Sequence, residues 1–237
     1  PAEASLTDPR TGHTPRRYMD QYIDQHMAEL DRQLRSGTIR PRAGDRRDVR
    51  RMIGFMMIDL DGFKTINDTY GHHVGDAVLC EVRDILLSCC RETDVVVRWG
   101  GDEFLVICHL SQFAGAKVLA ERIREGIVDR VYDVGPGIDV NLSGSIGIAT
   151  YPMHPDAIGV GSWEQVCEVA DQAAYLAKRN GRDAWVSVRG VAALTDTDLH
   201  LGRDGLTRLA REKKVTLDSA SGEAGEHVAI VKFPSPQ

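Results

Sequence analysis

Two pairs of carboxylates in this 237-residue sequence follow or precede apolar runs typical of buried strands. Asp59 and Asp61 end the first run, and Asp102 and Glu103 open the second directly after a Gly-Gly pair. Either pair alone is common in turns, where a carboxylate accepts hydrogen bonds from the nearby backbone. Carboxylates that converge from separate strand ends are, however, typical Mg²⁺ ligands beside phosphate substrates, where water completes the coordination. The two pairs together therefore indicate a divalent-metal site that acts on a phosphorylated substrate.

A predicted hairpin carries the second pair of carboxylates. The runs VVVRW and FLVI flank Gly100 and Gly101, whose tolerance of positive φ favours a tight turn. Glycine also opens the backbone to the close approach of a phosphate. Arg91 and Asp94 precede the first strand of this hairpin at RxxD spacing.

Composition excludes several classes of protein. The formal net charge of -6 argues against nucleic acid as a partner, because neutralising a phosphate backbone needs a basic face. The five cysteines show no CxxC spacing, which argues against zinc and favours reduced thiols in the cytoplasm. No apolar run reaches the ~18 residues of a membrane span. The chain begins at Pro1 without a Met, so we expect a piece of a longer protein.

Helices and strands alternate along the chain, and at least one strand pair is antiparallel. We therefore predict an α+β fold with a mixed, largely antiparallel central sheet and helices layered around it in two or three layers. A capping box at Ser162 and Gln165 marks the start of the last helix of this part. The predicted helices cover residues 18–35, 76–90, 112–128 and 162–180, and the predicted strands are 52–59, the hairpin, 140–151 and AWVSV (184–188), which is expected to close the sheet.

Two further segments have weaker patterns. Residues 38–51 are rich in arginine, and interleaved aspartates favour a solvated loop over a basic binding patch. Beyond residue 189, the pattern predicts a short helix at 204–212 and a strand at HVAIVKF (227–233). We divide the chain into a catalytic domain over residues 1–189 and a C-terminal extension of unassigned role over residues 190–237.

Three ordered motifs resemble the GGDEF domain of the diguanylate cyclase family. They are IDLDGFKTINDTYGHHVGD (58–76), GGDEF (100–104) and ADQAAYLAKRNGRDAW (170–185), and the resemblance covers roughly residues 6–189. It implies a sheet similar to those of nucleotide cyclases and polymerase palm domains. It also implies that two GTP molecules are joined into cyclic di-GMP with release of pyrophosphate.

The resemblance implies roles for the carboxylates. Asp59, the Leu60 carbonyl and Asp102 would hold Mg²⁺, with Mn²⁺ as the alternative ion, against the triphosphate as pyrophosphate leaves. Asp102 or Glu103 would take the proton of the 3′-hydroxyl, and the sequence leaves both open. The competing interpretation is a carboxylate-rich turn without metal.

Cationic and backbone groups would bind the phosphates. The resemblance assigns this role to Phe63 and Lys64, with Lys178 and Arg182 arriving from the last helix of the domain. Gly100 and Gly101 would give the phosphates access to the backbone. The alternative for Lys178 is an ordinary solvated helix residue.

The guanine base would be recognised by acceptors. An ionised Asp76 can accept from guanine N1–H and N2–H₂, whereas adenine offers an acceptor at N1, so this acid favours GTP. Asp76 could equally be the N-cap of the helix that it begins. Asn67 would complete the contact with the base, and His72 would either contribute or only shape the turn.

The RxxD pair has two interpretations. Arg91 and Asp94 could form a surface salt bridge worth at most about 1 kcal/mol. The resemblance instead implies an inhibitory product site for cyclic di-GMP, with Arg122 as a second cation. The strand VVVRW would then separate bound product from the chemistry by roughly 20 Å.

The expected partners follow from the product. One guanine site is encoded and the product joins two GTP, so catalysis requires a homodimer. We also expect an upstream sensory domain, and a cytoplasmic protein or the cytoplasmic part of a larger, membrane-bound bacterial sensor.

The alternative function is a catalytically silent module that binds GTP or cyclic di-GMP. A phosphohydrolase or a mononucleotide cyclase is a more distant alternative.

Overall fold

The computed structural model of the protein places helices on both faces of one central sheet. The residues that it describes are 14–15, 19–36, 52–133, 135, 139–202 and 204–221. The strands are β1 (Thr14–Pro15), β2 (Met52–Asp61), β3 (Val95–Gly100), β4 (Glu103–Leu110), β5 (Tyr132–Asp133), β6 (Asp139–Val140), β7 (Ser143–Tyr151), β8 (Ala184–Gly190) and β9 (Val215–Ser221). The helices are α1 (Met19–Arg35), α2 (Phe63–Tyr70), α3 (His72–Cys89), α4 (Phe113–Val128), α5 (Trp163–Arg179) and α6 (Gly205–Arg211).

The central sheet mixes parallel and antiparallel pairs. Among the described residues it has seven strands in the order β1-β3-β4-β2-β7-β8-β9, and β5 pairs separately with β6. The β1–β3 and β7–β8 pairs are parallel. The other pairs of the sheet are antiparallel. The predicted α+β fold with a mixed, largely antiparallel sheet is therefore confirmed.

Strand β2 lies in the middle of the sheet because it is apolar on both faces. Phe55 and Met57 belong to the core formed with α1 and α5. Met56 and Ile58 belong to the core formed with α3 and α4 on the other face. This alternation follows the two-residue period of a strand. The sheet is thus the middle of three layers, and at the end of β2 Asp59 is partly exposed while Leu60 and Asp61 stay buried.

The predicted hairpin is present as β3 and β4. Gly101 has φ of 21°, and the register shifts between Arg98 and Gly100, so the turn contains an irregularity. Strand β4 then pairs along β2 with Asp59 opposite Glu103. The hairpin turn therefore lies at the end of β2 that carries the acids.

The first motif folds into two helices rather than one. The hydrophobic pattern did not predict α2, and α3 begins at His72 with Gly71 as its N-cap. Gly71 separates the helices because its φ of 88° suits glycine, and its N–H ends α2 on the Asn67 carbonyl at 2.9 Å. Asp76 therefore lies in the second turn of α3, and its interpretation as an N-cap is wrong.

The other predicted elements agree with the structure except at the edge of the sheet. Helices α1, α4 and α6 are where the pattern placed them, and α5 begins with the predicted capping box. AWVSV does not close the sheet, because β9 pairs antiparallel along the whole of β8. The predicted strand at 227–233 and the arginine-rich residues 38–51 lie outside the described residues. No helix of the described part is both long and apolar enough for a membrane span.

Candidate active site

The end of β2 and the turn of the hairpin bring the predicted carboxylates to one corner of the sheet. Asp59 and Glu103 are opposite each other in the β2–β4 register. The Leu60 N–H donates to the Asp102 carbonyl at 3.2 Å, which joins β2 to the turn. Asp59, Leu60, Asp102 and Glu103 are therefore neighbours in space.

Lys178 reaches this corner from the last turn of α5. Its Nζ lies 2.7 Å from Oδ1 and 2.9 Å from Oδ2 of Asp59. Partial burial opposes the ammonium charge, but the hydrogen bond to Asp59 outweighs it and raises the pKa of Lys178. The alternative of a freely solvated lysine is therefore wrong.

Burial raises the pKa values of three acids at this corner, Asp59, Glu103 and Asp171. Desolvation is the main cause of the raised pKa of Asp59, which Lys178 partly offsets. The pKa of Glu103 is raised by desolvation and then by the charges of Asp171 and Asp59. Asp171 itself has a pKa raised by desolvation and by Asp59. It was not predicted, although its position seven residues before Lys178 puts both on one face of α5.

A pocket of about 380 Å³ lies beside the acids, between α2, α3 and the hairpin turn. Its volume falls within the range of small-ligand sites. Seven residues that the sequence predicted for the site line it: Phe63, Lys64, Asn67, His72, Asp76, Gly101 and Asp102. Six other residues predicted for the catalytic, metal or substrate site are not among the described residues that line it: Asp59, Leu60, Gly100, Glu103, Lys178 and Arg182.

Three lining residues were not predicted: Arg98, Asp68 and Leu79. Arg98 donates from Nε and Nη2 to the Gly101 carbonyl at 3.1 and 2.8 Å. This fork holds the hairpin turn against the end of β3. The position of Arg98, two residues before the Gly-Gly turn, is the sequence signal that could have found it.

Gly75 lets α2 and α3 approach closely at the base of the pocket. A Cβ at this position would lie 2.0 Å from Oδ1 of Asn67. The absence of a side chain therefore allows Asn67 to lie against α3, one residue from Asp76. The two residues predicted to recognise the base are thus adjacent.

Asp61 serves the fold rather than the pocket. It accepts hydrogen bonds from the hydroxyls of Ser143 and Ser145, both at 2.8 Å, and from the Asp183 N–H at 3.1 Å. Arg182 Nε lies 3.9 Å from Asp61 Oδ1, with the Arg182 side chain 58% exposed. Arg182 is thus held near the acids while its guanidinium stays accessible.

The RxxD pair lies between the end of α3 and the start of β3. The Arg91 backbone N–H donates to Oδ2 of Asp94 at 2.9 Å. Oδ1 of Asp94 is buried and has no hydrogen-bond partner among the described residues. Arg122 on α4 donates to the Cys89 carbonyl, so its side chain reaches the end of α3. The three predicted residues thus lie around the same end of α3, far along β3 from the acids.

A second cavity, of about 900 Å³, lies at the opposite end of the sheet, between the start of β2 and the end of β8. None of the predicted site residues lines it, as far as the described residues go. The smaller pocket is therefore the candidate active site, because Asp102 and six other predicted site residues line it and the remaining acids lie at its edge of the sheet.

Comparison with known proteins identifies the family. The family model "Diguanylate cyclase, GGDEF domain" matches residues 5–184. Diguanylate cyclase A of Treponema denticola is 41% identical over 133 residues, which are 55% of this chain and 34% of that protein. Diguanylate cyclase DosC of Escherichia coli is 38% identical over 131 residues, which are 55% of this chain and 27% of that protein.

The fold agrees with this match. The crystal structure of the GGDEF domain of DgcB from Caulobacter crescentus in complex with c-di-GMP has a TM-score of 0.62 at 26% identity, covering 77% of this chain and 95% of that one. The chain therefore belongs to the GGDEF-domain family of diguanylate cyclases. It spans about a third or less of the length of the two curated relatives.

Proposed function

We propose that this chain is a diguanylate cyclase that condenses two GTP into cyclic di-GMP and releases pyrophosphate. The observation that carries the proposal is one pocket lined by Asp76 and Asn67 on its helical side and by Asp102 at the hairpin turn. A candidate base acceptor, the hairpin turn and one of the proposed metal-binding acids thus share one small cavity, and Asp59 and Glu103 lie beside it. That is the arrangement a nucleotidyl transfer requires.

Asp76 and Asn67 would select guanine. An ionised Asp76 accepts from N1–H and N2–H₂, and the Asn67 amide, fixed against Gly75, offers both a donor and an acceptor. Adenine would leave these groups unpaired, which is costly in a desolvated pocket. His72 lines the same pocket and would contact the base or the ribose.

The acids fit a divalent ion, with Mg²⁺ first and Mn²⁺ as the alternative. Among the described residues no group of three or more His, Cys, Asp or Glu side chains is arranged to hold a metal by itself. Asp59, Asp102 and the Leu60 carbonyl would therefore supply part of the coordination, and phosphates and water the rest. When bound, the ion would neutralise charge on the triphosphate.

Lys178 would change partners when the nucleotide binds. Without nucleotide it neutralises Asp59. A metal ion at Asp59 would compete for the same oxygens and leave the ammonium to bind a phosphate, together with Lys64, the backbone at Phe63 and exposed Arg182. Gly100 and Gly101 would admit the phosphates to the turn, and Asp102 or Glu103 would accept the proton of the 3′-hydroxyl.

The assembly and its control are part of the proposal. A homodimer would bring two GTP sites together across a two-fold axis. Arg91, Asp94 and Arg122 would form an inhibitory site for cyclic di-GMP, and their location around one end of α3 supports this. The share of the relatives that this chain leaves uncovered supports an upstream sensory domain.

Incubation with Mg²⁺ and GTP, followed by chromatography of the products, tests the proposal. We expect cyclic di-GMP and pyrophosphate, and no product when ATP replaces GTP. GTP bound but unchanged would instead identify a silent binding module. Cyclic GMP or GDP as the main product would identify a mononucleotide cyclase or a phosphohydrolase.

A further inference from the structure

The turn after α5 has an unusual backbone. Gly181, Arg182 and Asp183 have φ values of 125°, 63° and 42° in succession. Arginine and aspartate are disfavoured in this left-handed region, so contacts from outside the turn must hold it. The turn matters because it carries Arg182 and follows the helical turn that carries Lys178.

Asp61 holds the turn from the side of β2. It accepts the Asp183 N–H at 3.1 Å, and its own orientation is set by hydroxyl donors from Ser143 and Ser145. Asp61 is 9% exposed, so these hydrogen bonds meet little competition from water.

Arg124 holds the turn from the side of α4. Its Nη1 donates to Oδ1 of Asp183 at 2.7 Å, and its Nη2 donates to Oε1 of Glu121 at 2.7 Å. Oε2 of Glu121 in turn accepts from Nε1 of the buried Trp185 at 2.7 Å. The Arg124 side chain is 8% exposed. Its planar guanidinium therefore bridges two acids in one fixed geometry.

We infer that Arg124 is a positioning residue for nucleotide binding, acting through Asp183 on Arg182. The Arg124 side chain is buried and its guanidinium is bound by Asp183 and Glu121, so it would act on the nucleotide only through the turn. A buried ion pair contributes little net stability over an apolar pair of similar volume, but it does impose a geometry. Here it imposes the left-handed backbone that aims Arg182 at the phosphates. The inference rests on the proposed function, in which Arg182 binds the triphosphate.

A double-mutant cycle tests this inference. The affinity for a non-hydrolysable GTP analogue with Mg²⁺ is measured for the parent, Arg124→Gln, Arg182→Gln and the double variant, well below each melting temperature. We expect Arg124→Gln to weaken binding roughly 5- to 20-fold and to cause almost no further loss once Arg182 is replaced. The matched control is Arg130→Gln, which removes an exposed ion pair with Glu81 and should bind like the parent.

A second pair of variants separates positioning from folding. Asp183→Gly removes the carboxylate but adopts φ of 42° without strain and keeps the N–H donor to Asp61, so it should weaken binding as Arg124→Gln does. Asp183→Asn keeps an acceptor for Arg124 and should retain most of the affinity. Parent affinity in both Arg124→Gln and Asp183→Gly, or additive losses in the cycle, would overturn the inference.

The two proposals fail in different measurements. A chain that binds the analogue with the expected coupling but forms no cyclic di-GMP would refute the cyclase activity and leave the role of Arg124 standing. If the parent forms cyclic di-GMP but Arg124→Gln binds the analogue with the affinity of the parent, the cyclase activity would stand and the role of Arg124 would be refuted.

Discussion

At the scale of single residues, charge decides which acids act and which only support. Asp59 and Asp61 end the same strand, yet their surroundings differ. Asp61 is saturated by hydroxyl and backbone donors, whereas Asp59 faces one exchangeable cation, Lys178. A metal ligand needs an exchangeable partner, so we propose Asp59 rather than Asp61 as the metal ligand.

The first prediction removes this charge. Asp59→Asn or Asp102→Asn should lower the rate of cyclic di-GMP formation roughly 100-fold or more, because each variant would lose a carboxylate that holds the metal ion, and the ion would neutralise charge on the triphosphate. Initial rates at saturating Mg²⁺ measure the effect. Asp84→Asn, whose side chain is 64% exposed, is the matched control and should keep the parent rate. Near-parent turnover in either site variant would refute the metal assignment.

The second prediction concerns acid stability in the extension. The Lys214 ammonium, 2.6 Å from Asp198 Oδ1, is the main cause that lowers the pKa of Asp198 to about 2 from 3.8. A lowered folded-state pKa stabilises the fold above the unfolded-state pKa, and this contribution is lost as pH falls through about 2. Asp198→Asn should therefore lower the free energy of unfolding by about 1–2 kcal/mol near neutral pH.

Urea unfolding at about pH 6 and about pH 3 measures this difference, which should shrink by roughly half at the lower pH. Asp156→Asn, with a side chain 81% exposed, is the control. Equal losses at both pH values would show that Asp198 acts through packing rather than charge.

At the scale of elements, β3 connects two sites that it also keeps apart. It runs from the RxxD pair to the hairpin turn, so cyclic di-GMP bound at Arg91 and Asp94 would not occupy the GTP pocket. Inhibition from this site would require a shift between productive and unproductive arrangements of two domains.

The third prediction tests that site. Replacing Arg91 and Asp94 together by alanine should abolish the slowing caused by added cyclic di-GMP. The double variant would lose the Arg91 guanidinium, which can donate two parallel hydrogen bonds, and the Asp94 carboxylate, which can accept hydrogen bonds from guanine. The ratio of initial velocities with and without added product measures the effect. If added cyclic di-GMP slows the parent and the double variant equally, Arg91 and Asp94 do not form an inhibitory site, and the interpretation as a surface salt bridge stands.

The fourth prediction concerns the packing of α5, which carries Asp171 and Lys178. A Cβ at Gly147 of β7 would lie 1.8 Å from the Ala170 carbonyl, so Gly147→Ala must push the helix away from the sheet. We expect a loss of about 3 kcal/mol or more in the free energy of unfolding. Denaturant unfolding provides the measurement.

Gly144→Ala on the same strand is the matched control. Its Cβ would lie 3.4 Å from the flexible end of Ile127, so the loss should be below about 1 kcal/mol. A loss for Gly147→Ala as small as that expected for Gly144→Ala would mean that α5 adjusts to the added methyl group at little cost.

At the scale of the whole molecule, the extension is built into the sheet. β9 lengthens it beyond β8, and Leu206 and Leu209 of α6 join the core that contains α1 and α5. Lys117 of α4 also pairs with Asp218 of β9 across the edge. The division at residue 189 stays a prediction, and a chain cut there would expose the edge of β8.

The fifth prediction concerns assembly. If the proposed guanine pocket binds one GTP per chain, a product that joins two GTP would require two chains. Specific activity should therefore rise with protein concentration until the dimer saturates. Enzyme assays alongside sedimentation analysis at the same concentrations measure this, and a flat dependence in a monomeric sample would contradict it.

The sequence by itself determined the local features of this protein. The apolar run of β2, the Gly-Gly turn and the Ser162–Gln165 capping box each depend on neighbouring residues, and all three are confirmed. Short-range patterns are sufficient there because strand period, turn conformation and helix capping act within a few residues. Seven site residues that the family resemblance implied also line one pocket, and all seven lie in two short motifs.

Only the tertiary structure decided the contacts between distant segments. The Lys178–Asp59 pair, the Arg124–Asp183 pair and the β8–β9 edge join residues that no local pattern relates. The division of the first motif into two helices was missed because α2 is short and a glycine, not a change of hydrophobic period, separates it from α3. These features depend on packing across the sheet, where burial strengthens an ion pair and orients its partners.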